Sequence, residues 1–259
     1  MITLIHPEID PVIISFGSFA IRWYGLSYAI GFLLGYLLIK RFNSYLSKPI
    51  NKKIIEEFFI WIALGVIIGG RVGYIIFYQT NSLFYNPLEI FQIWKGGMSF
   101  HGGLIGVILA AVIFGKKHKI NSYIFLDLIA LVAPIGLFLG RIANFINSEL
   151  YGRETEVFWS VKFLAIDNIS RHPSQIYEAI FEGLILFFLL NYFAKKDSFK
   201  NPGLISSMFL IFYSFFRFIL EFFRAPDPQI GYLFYQLTFG QFISVVFFFL
   251  GISLYLKKK

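Results

Sequence analysis

Two arginines, two asparagines and a glutamate stand close together at the end of an apolar segment, in the run Gly140-Arg141-Ile142-Ala143-Asn144-Phe145-Ile146-Asn147-Ser148-Glu149-Leu150-Tyr151-Gly152-Arg153. A guanidinium binds phosphate or carboxylate in bidentate fashion, a carboxamide hydrogen-bonds to ester and phosphate oxygens, and a carboxylate takes a proton or orients a guanidinium. Together these are the parts of an anion site with an acid–base group beside it. If the residues from Tyr123 to Ile146 form a membrane span, Arg141 and Asn144 lie one turn apart on one helix face, close to the membrane boundary. The plainer account has Arg141 snorkelling to the interface and the asparagines capping a helix end. The clustering of so many polar groups argues against it.

Three other stretches carry chemistry-bearing residues at helical spacing. Tyr213, Arg217 and Glu221 recur every four residues and Arg224 follows three later, which at about 100° per residue predicts one narrow stripe on an otherwise apolar helix. The bland alternative is an Arg217–Glu221 pair that only neutralises two intramembrane charges. Arg71, Tyr74 and Tyr78 make a similar stripe, beside Gly65, Gly69 and Gly73, which are spaced for close helix packing. His101, in Gly96-Gly97-Met98-Ser99-Phe100-His101-Gly102-Gly103, is placed as a general base, a donor to phosphate or a plain polar cap at a helix start. His6, His101, His118 and His172 are scattered without ligand-pair spacing, so no metal site is expected.

These residues need a frame that brings them to one level. The composition, 57% hydrophobic with 34 Phe and only 15% charged residues among 259, exceeds what one soluble core could bury and implies an all-α polytopic membrane protein. Segments long enough to cross, roughly 17 to 25 residues, run near Phe19–Ile39, Ile54–Tyr78, Met98–Gly115, Tyr123–Ile146, Gln175–Ala194, Leu204–Phe223 and Tyr235–Leu256. Seven transmembrane helices are predicted, forming one integral membrane domain over residues 1–259. The stretch from Met1 to Ser18 lacks the Lys or Arg of a cleavable signal peptide, so the first span is expected to be retained.

Charge sets the orientation. Lys40, Arg41, Lys48, Lys52 and Lys53, then Lys116, Lys117 and Lys119, then Lys195, Lys196 and Lys200, and finally Lys257, Lys258 and Lys259 mark four cytoplasmic segments by the positive-inside rule. An outside N-terminus and a cytoplasmic C-terminus follow, which requires an odd number of spans. The net charge of +8 therefore belongs to cytoplasmic loops and anionic lipid, and nucleic acid is excluded as a partner.

The other basic residues, Arg22, Arg71, Lys95, Arg141, Arg153, Lys162, Arg171, Arg217 and Arg224, fall in the spans or on the outer side, where arginine dominates. With Tyr24, His101, Gln175, Glu178, Glu182, Tyr235, Gln236 and Gln241, they collect polar groups from every span in one leaflet. A shared outer cavity for an anion explains that distribution better than independent snorkelling. Residues 147–174, with Trp159, Lys162, Asp167 and Arg171 but no crossing run, are read as a small extracytoplasmic cap between helices 4 and 5, with one or two strands around Val157–Leu164. Pro173 suits the start of the helix that follows. There is no cysteine, so any thiol chemistry must use a partner's thiol.

The run from Gly140 to Gly152 resembles the signature of the bacterial prolipoprotein diacylglyceryl transferases, Gly-Arg-x-Ala-Asn-Phe-x-Asn-x-Glu-x-x-Gly, with every fixed position matched. Arg22-Trp23-Tyr24-Gly25, Gly69-Gly70-Arg71-Val72-Gly73-Tyr74, Gly96 to Gly103, Arg171-His172-Pro173-Ser174-Gln175-Ile176-Tyr177-Glu178 and the stretch from Arg217 through Glu221 to Arg224 are similar to that family too, in order along nearly the whole chain.

The resemblance implies a seven-span enzyme of the bacterial inner membrane. Such an enzyme transfers the diacylglyceryl group of phosphatidylglycerol to the lipobox cysteine of a prolipoprotein signal peptide and releases glycerol phosphate, with no metal or nucleotide cofactor. The expected reaction is displacement at the glycerol carbon bearing the phosphate, with Arg141 and Arg217 stabilising the leaving group. His101 is a candidate to take the thiol proton; Glu149 is a competing base or an orienter of Arg141. The resemblance adds Tyr24, Asn144 and Gly152 to the site, Asn144 as a donor to headgroup oxygens and Gly152 as the residue permitting a tight turn beside Glu149. The expected catalytic set is His101, Glu149, Asn144 and Tyr24, and the phosphatidylglycerol-binding set is Arg141, Arg217, Glu221, Tyr213, Gly152 and Arg71. A transporter for an anionic lipid would use the same arginines, but the midplane site and repeated halves usual in transporters are not evident. A scaffold packed through glycines leaves the outer arginines unexplained.

Overall fold

A computed structural model describes residues 4–17, 19–80, 85–92, 96–194, 196–226, 231–233 and 237–259. Tyr235, Gln236, Lys95 and Lys195 lie outside the described residues. The chain forms two compact units, one from Met1–Ile39 with Ile129–Lys259 and the other from Lys40–Leu128.

In the first unit the chain opens on strand β1 (Leu4–Ile5) and a hairpin of β2 (Val12–Phe16) and β3 (Phe19–Arg22), which pairs Val12 with Arg22 and Phe16 with Phe19. The hairpin overturns the helix expected from Phe19. Its β-branched and aromatic residues flank Gly17, whose φ of 61° suits a tight turn, so Arg22 ends a strand. Helix α1 (Trp23–Asn43) begins directly after it.

The second unit holds α2 (Lys52–Tyr78), a 3-10 turn at Pro87–Phe91 and α3 (Phe100–His118). Asn51 caps α2 by accepting the Lys53 amide, and Ser99 caps α3 by accepting the Gly102 amide. The glycine stripe of α2 packs as its spacing predicts. A Cβ on Gly65 would lie 2.7 Å from the Gly106 carbonyl oxygen and one on Gly73 would lie 2.6 Å from Gly102 Cα, so any side chain there would force the helices apart. Phe58, Phe114 and Phe125, all fully buried, seal this unit with ring centroids 4.5 to 5.2 Å apart.

Helix α4 (Ser122–Ile146) leads from the second unit back into the first. After it, β4 (Val161–Lys162) pairs in parallel with β1 and antiparallel with β5 (Ser170–Arg171), giving a sheet of order β1-β4-β5. The strand expected around Val157–Leu164 is thus only two residues long. Helix α5 (Ser174–Phe193) follows Pro173 and contains a π-helical stretch at Ala179–Ile185. Then come α6 (Leu204–Leu220) and α7 (Phe239–Lys258), the latter opened by a reciprocal capping box between Thr238 and Gln241.

Six of these helices, α1 to α5 and α7, are long and apolar enough to cross a membrane; α6, with 17 residues, is a shorter apolar helix. The chain is a mostly helical, polytopic membrane protein with short strands at its N-terminus and between α4 and α5. The helix expected from Leu204 to Phe223 ends at Leu220, with Phe222 and Phe223 amides turning back onto Ile219 and Leu220 carbonyls. Arg224 therefore lies beyond the stripe predicted for it.

Candidate active site

The C-terminal end of α4 projects Arg141 and Asn144 from the face predicted for them. The chain then reverses, with Ser148 and Leu150 both in the left-handed region at φ 55°, and the Glu149 amide bonds the Asn144 carbonyl at 2.9 Å. This reversal carries the Glu149 side chain back over the helix end. Its carboxylate accepts from Asn144 Nδ2 at 3.1 Å and from Asn147 Nδ2 at 3.3 Å. Asn144 Nδ2 also donates to the Tyr24 hydroxyl at 2.7 Å, so a buried carboxamide joins the start of α1 to Glu149. His6 Nε2 lies 2.9 Å from the Phe145 carbonyl oxygen, which anchors the N-terminal segment on the same reversal.

Gly152 does not make the turn expected of it. The left-handed residues are Ser148 and Leu150, and Gly152 instead lies where three chain segments meet. Its amide donates to the His172 carbonyl at 3.0 Å, the Arg153 amide donates to the Phe223 carbonyl at 2.8 Å, and the His172 amide donates to the Arg153 carbonyl at 2.9 Å. A Cβ at Gly152 would collide with the His172 carbonyl and lie 2.7 Å from that of Phe223, so glycine is required for close approach.

Behind this reversal, α4, α5, α6 and the turn that follows α6 bring together three arginines and three glutamates. Arg141 Nε lies 2.7 Å from Glu178, and Arg141 Nη2 lies 3.5 Å from Glu182. Arg217 Nη1 lies 3.2 Å from Glu178 and 3.5 Å from Glu182, while Nη2 pairs with Glu221 at 2.6 Å. Arg224 reaches Glu178 at 3.5 Å. All three carboxylates are buried, and Glu221 also accepts the Thr238 hydroxyl at 2.9 Å. In a low-dielectric site such a lattice holds its guanidinium groups in fixed orientations, which suits stabilisation of charge that develops during a reaction.

Of the residues singled out in the sequence, Tyr24, Arg141, Asn144, Glu149, Gly152, Tyr213, Arg217 and Glu221 all belong to the first unit. Tyr213 sits one turn before Arg217 and stacks on Phe209 with centroids 5.5 Å apart. Arg71 and His101 belong to the second unit. Arg71 is buried, donates to the Glu89 carbonyl at 2.7 Å and to the Gly96 carbonyl, and lies beside the Tyr74 ring. His101 stands in the first turn of α3 with its ring edge-on to Phe100. Glu178 and Glu182, noted only as polar residues of the fifth span, prove to be the hub of the lattice. Two glutamates one turn apart in an apolar helix were the available signal, because such a pair is tolerated only with counter-charges.

Outside the helices, the Arg171 guanidinium pairs with Asp167 at 2.6 Å and holds its carboxyl below the usual carboxylate range. Burial pushes the His172 imidazole below the ordinary histidine range.

The sequence profile for prolipoprotein diacylglyceryl transferase matches residues 11–257. The chain belongs to that family. It is accordingly a transferase acting in the first step of lipoprotein lipidation, and a multi-pass bacterial membrane protein. Relatives named phosphatidylglycerol–prolipoprotein diacylglyceryl transferase include those of Rickettsia bellii strain OSU 85-389, 51% identical over 252 residues, and Rickettsia typhi, 49% identical over 249 residues. These alignments cover 97% and 96% of this chain and 96% of each relative. The Allorhizobium ampelinum transferase is 46% identical over 255 residues, covering 95% of this chain and 89% of its own.

Proposed function

We propose that this chain transfers the sn-1,2-diacylglyceryl group of phosphatidylglycerol to the lipobox cysteine of prolipoprotein signal peptides, forming a thioether and releasing glycerol phosphate. The thiol sulfur attacks the glycerol carbon that bears the phosphate. As the sulfur–carbon bond forms, the carbon–oxygen bond breaks, the electron pair leaves on the phosphate oxygen, and the thiol proton passes to a protein base. The dominant demand is stabilisation of the leaving phosphate, and Arg141 and Arg217, both held on Glu178, meet it. That shared anchoring of arginines from two different helices is the observation that most supports the assignment.

Asn144, whose two amide N–H groups are engaged by Tyr24 and Glu149, positions Glu149. His101 and Glu149 are the two candidates for the base. Glu221 orients Arg217, Tyr213 one turn before it joins the phospholipid-binding set, Gly152 seats the reversal, and Arg71, which holds the Glu89 and Gly96 carbonyls ahead of α3, belongs to that set too.

In the membrane, α6 completes seven spans, with the N-terminus outside, the C-terminus in the cytoplasm of the inner membrane, and the site towards the outer leaflet. The whole chain then acts as one integral domain, with residues 147–174 as its extracytoplasmic cap. At about 1.5 Å per residue α6 is shorter than a hydrocarbon core of about 30 Å, which draws the Arg217 end of the span into the outer leaflet.

Mass spectrometry of a lipobox peptide incubated with detergent-solubilised protein and phosphatidylglycerol tests the proposal. A diacylglyceryl mass gain on the cysteine is expected, and it should collapse in Arg141→Ala. No gain with folded protein would overturn the assignment, and a gain unchanged in the variant would overturn the role of Arg141.

A further inference from the structure

The arginine–glutamate lattice is electrically balanced. Arg141, Arg217 and Arg224 face Glu178, Glu182 and Glu221, three charges of each sign, so a neutral cluster offers an incoming anion little net attraction. Orientation of a phosphate and attraction of a phosphate are separate tasks, and the second needs a surplus positive charge.

Arg153 supplies one beside the lattice. Its Nε donates to the Arg224 carbonyl at 2.9 Å and its Nη2 to the Glu221 carbonyl at 3.4 Å, so it rests on the backbone of two lattice residues. Its third contact is the half-exposed Tyr232 ring, 5.6 Å from the guanidinium carbon to the centroid. Among the described residues no carboxylate lies within ion-pair distance of it. Of the five N–H groups of a guanidinium, two are engaged and three remain for a ligand. The chain is clamped at this point by the hydrogen bonds of Arg153 to Phe223 and His172, so the fork is presented from a fixed backbone.

We propose that Arg153 binds the anionic phosphate of the donor lipid, attracting the headgroup while Arg141 and Arg217 act on the leaving group; this rests on the phosphatidylglycerol reading above. Arg153 then governs affinity for the donor and contributes little to the chemical step.

The test uses the full chain in detergent. In mixed micelles, Arg153→Gln is expected to raise KM for phosphatidylglycerol about ten- to a hundredfold, as for loss of a charge-assisted hydrogen bond. Its kcat should stay within about threefold of the parent. Independently of turnover, phosphatidylglycerol should raise the unfolding temperature of the parent protein and diacylglycerol, which lacks the phosphate, should not, with the shift absent in Arg153→Gln and kept in Arg153→Lys. A shift with glycerol phosphate alone would show that a free phosphate suffices; a shift with the lipid only would assign the site to the membrane-borne headgroup. An unchanged KM and an unchanged lipid shift in Arg153→Gln would overturn the inference while leaving transfer to the peptide intact. A parent protein that transfers nothing yet shows the Arg153-dependent shift would overturn the functional reading and leave this site standing. If Arg153→Gln does not fold, Arg153→Lys decides alone, since losing the shift while keeping the charge would refute the role.

Discussion

Glu178 of α5, almost sealed from solvent, holds Nε of Arg141 on α4 at 2.7 Å. The same carboxylate faces Arg217 at 3.2 Å, so one buried side chain sets the attitude of both guanidinium groups proposed to meet the leaving phosphate. Glu178→Ala leaves an unbalanced positive charge inside the helix cluster and is expected to destabilise the protein by about 3–5 kcal/mol. Thermal unfolding in detergent measures it, and an unchanged unfolding temperature would show that the cluster relaxes without its hub.

Tyr24 is hydrogen-bonded to Glu149 by way of Asn144, whose amide donates to both. Replacing Tyr24 with Phe and Asn144 with Ala should each lower the transfer rate, and the double variant should fall no further than Asn144→Ala alone. A double-mutant cycle on kcat/KM is expected to give a coupling of about 0.5–3 kcal/mol. Strict additivity would mean that Tyr24 acts elsewhere.

At Gly152 an added methyl would meet the His172 and Phe223 carbonyls, backbone atoms that cannot swing aside. Gly152→Ala should therefore cost about 1–3 kcal/mol by overpacking and displace the Glu149 reversal. Gly136→Ala, in α4 with open space around its Cβ position, should instead be neutral or stabilising by up to about 1 kcal/mol. Unfolding temperatures of the two variants, compared side by side, check the contrast; equal effects would refute it.

Acid should weaken the segment between α4 and α5 in two steps. Burial lowers the folded His172 pKa, so the unfolded chain binds the proton more readily. Stability is full above the ordinary value of about 6.5 and is lost as pH falls below it. Asp167 is lowered by its hydrogen bond from Arg171, so its contribution is present above about pH 3.9 and is lost as pH falls through the folded value. Unfolding temperatures measured from pH 7.5 to 5 should decline, and His172→Gln should flatten that slope while Asp167→Asn leaves it unchanged. A slope untouched by His172→Gln would assign the acid sensitivity to another group.

The polytopic helical class, most helix positions and the helical spacing that puts Arg141 with Asn144, and Arg217 with Glu221, on shared faces were legible in the amino-acid sequence. Those features rest on local quantities: hydrophobic run length, helical spacing and the cost of charge in an apolar segment. The glycine seam of α2 was legible for the same reason, since spacing alone places its glycines on one face. The β2–β3 hairpin was hidden by its own hydrophobicity, because a short apolar run reads as helix or strand until a partner is known. Pairing between distant segments, by contrast, emerged with the folded chain. Glu178 and Glu182 became the hub of the arginines, Gly152 a point of close approach, and Arg153 a charge that meets no carboxylate among the described residues, because each depends on segments far apart in the chain meeting within a few ångströms.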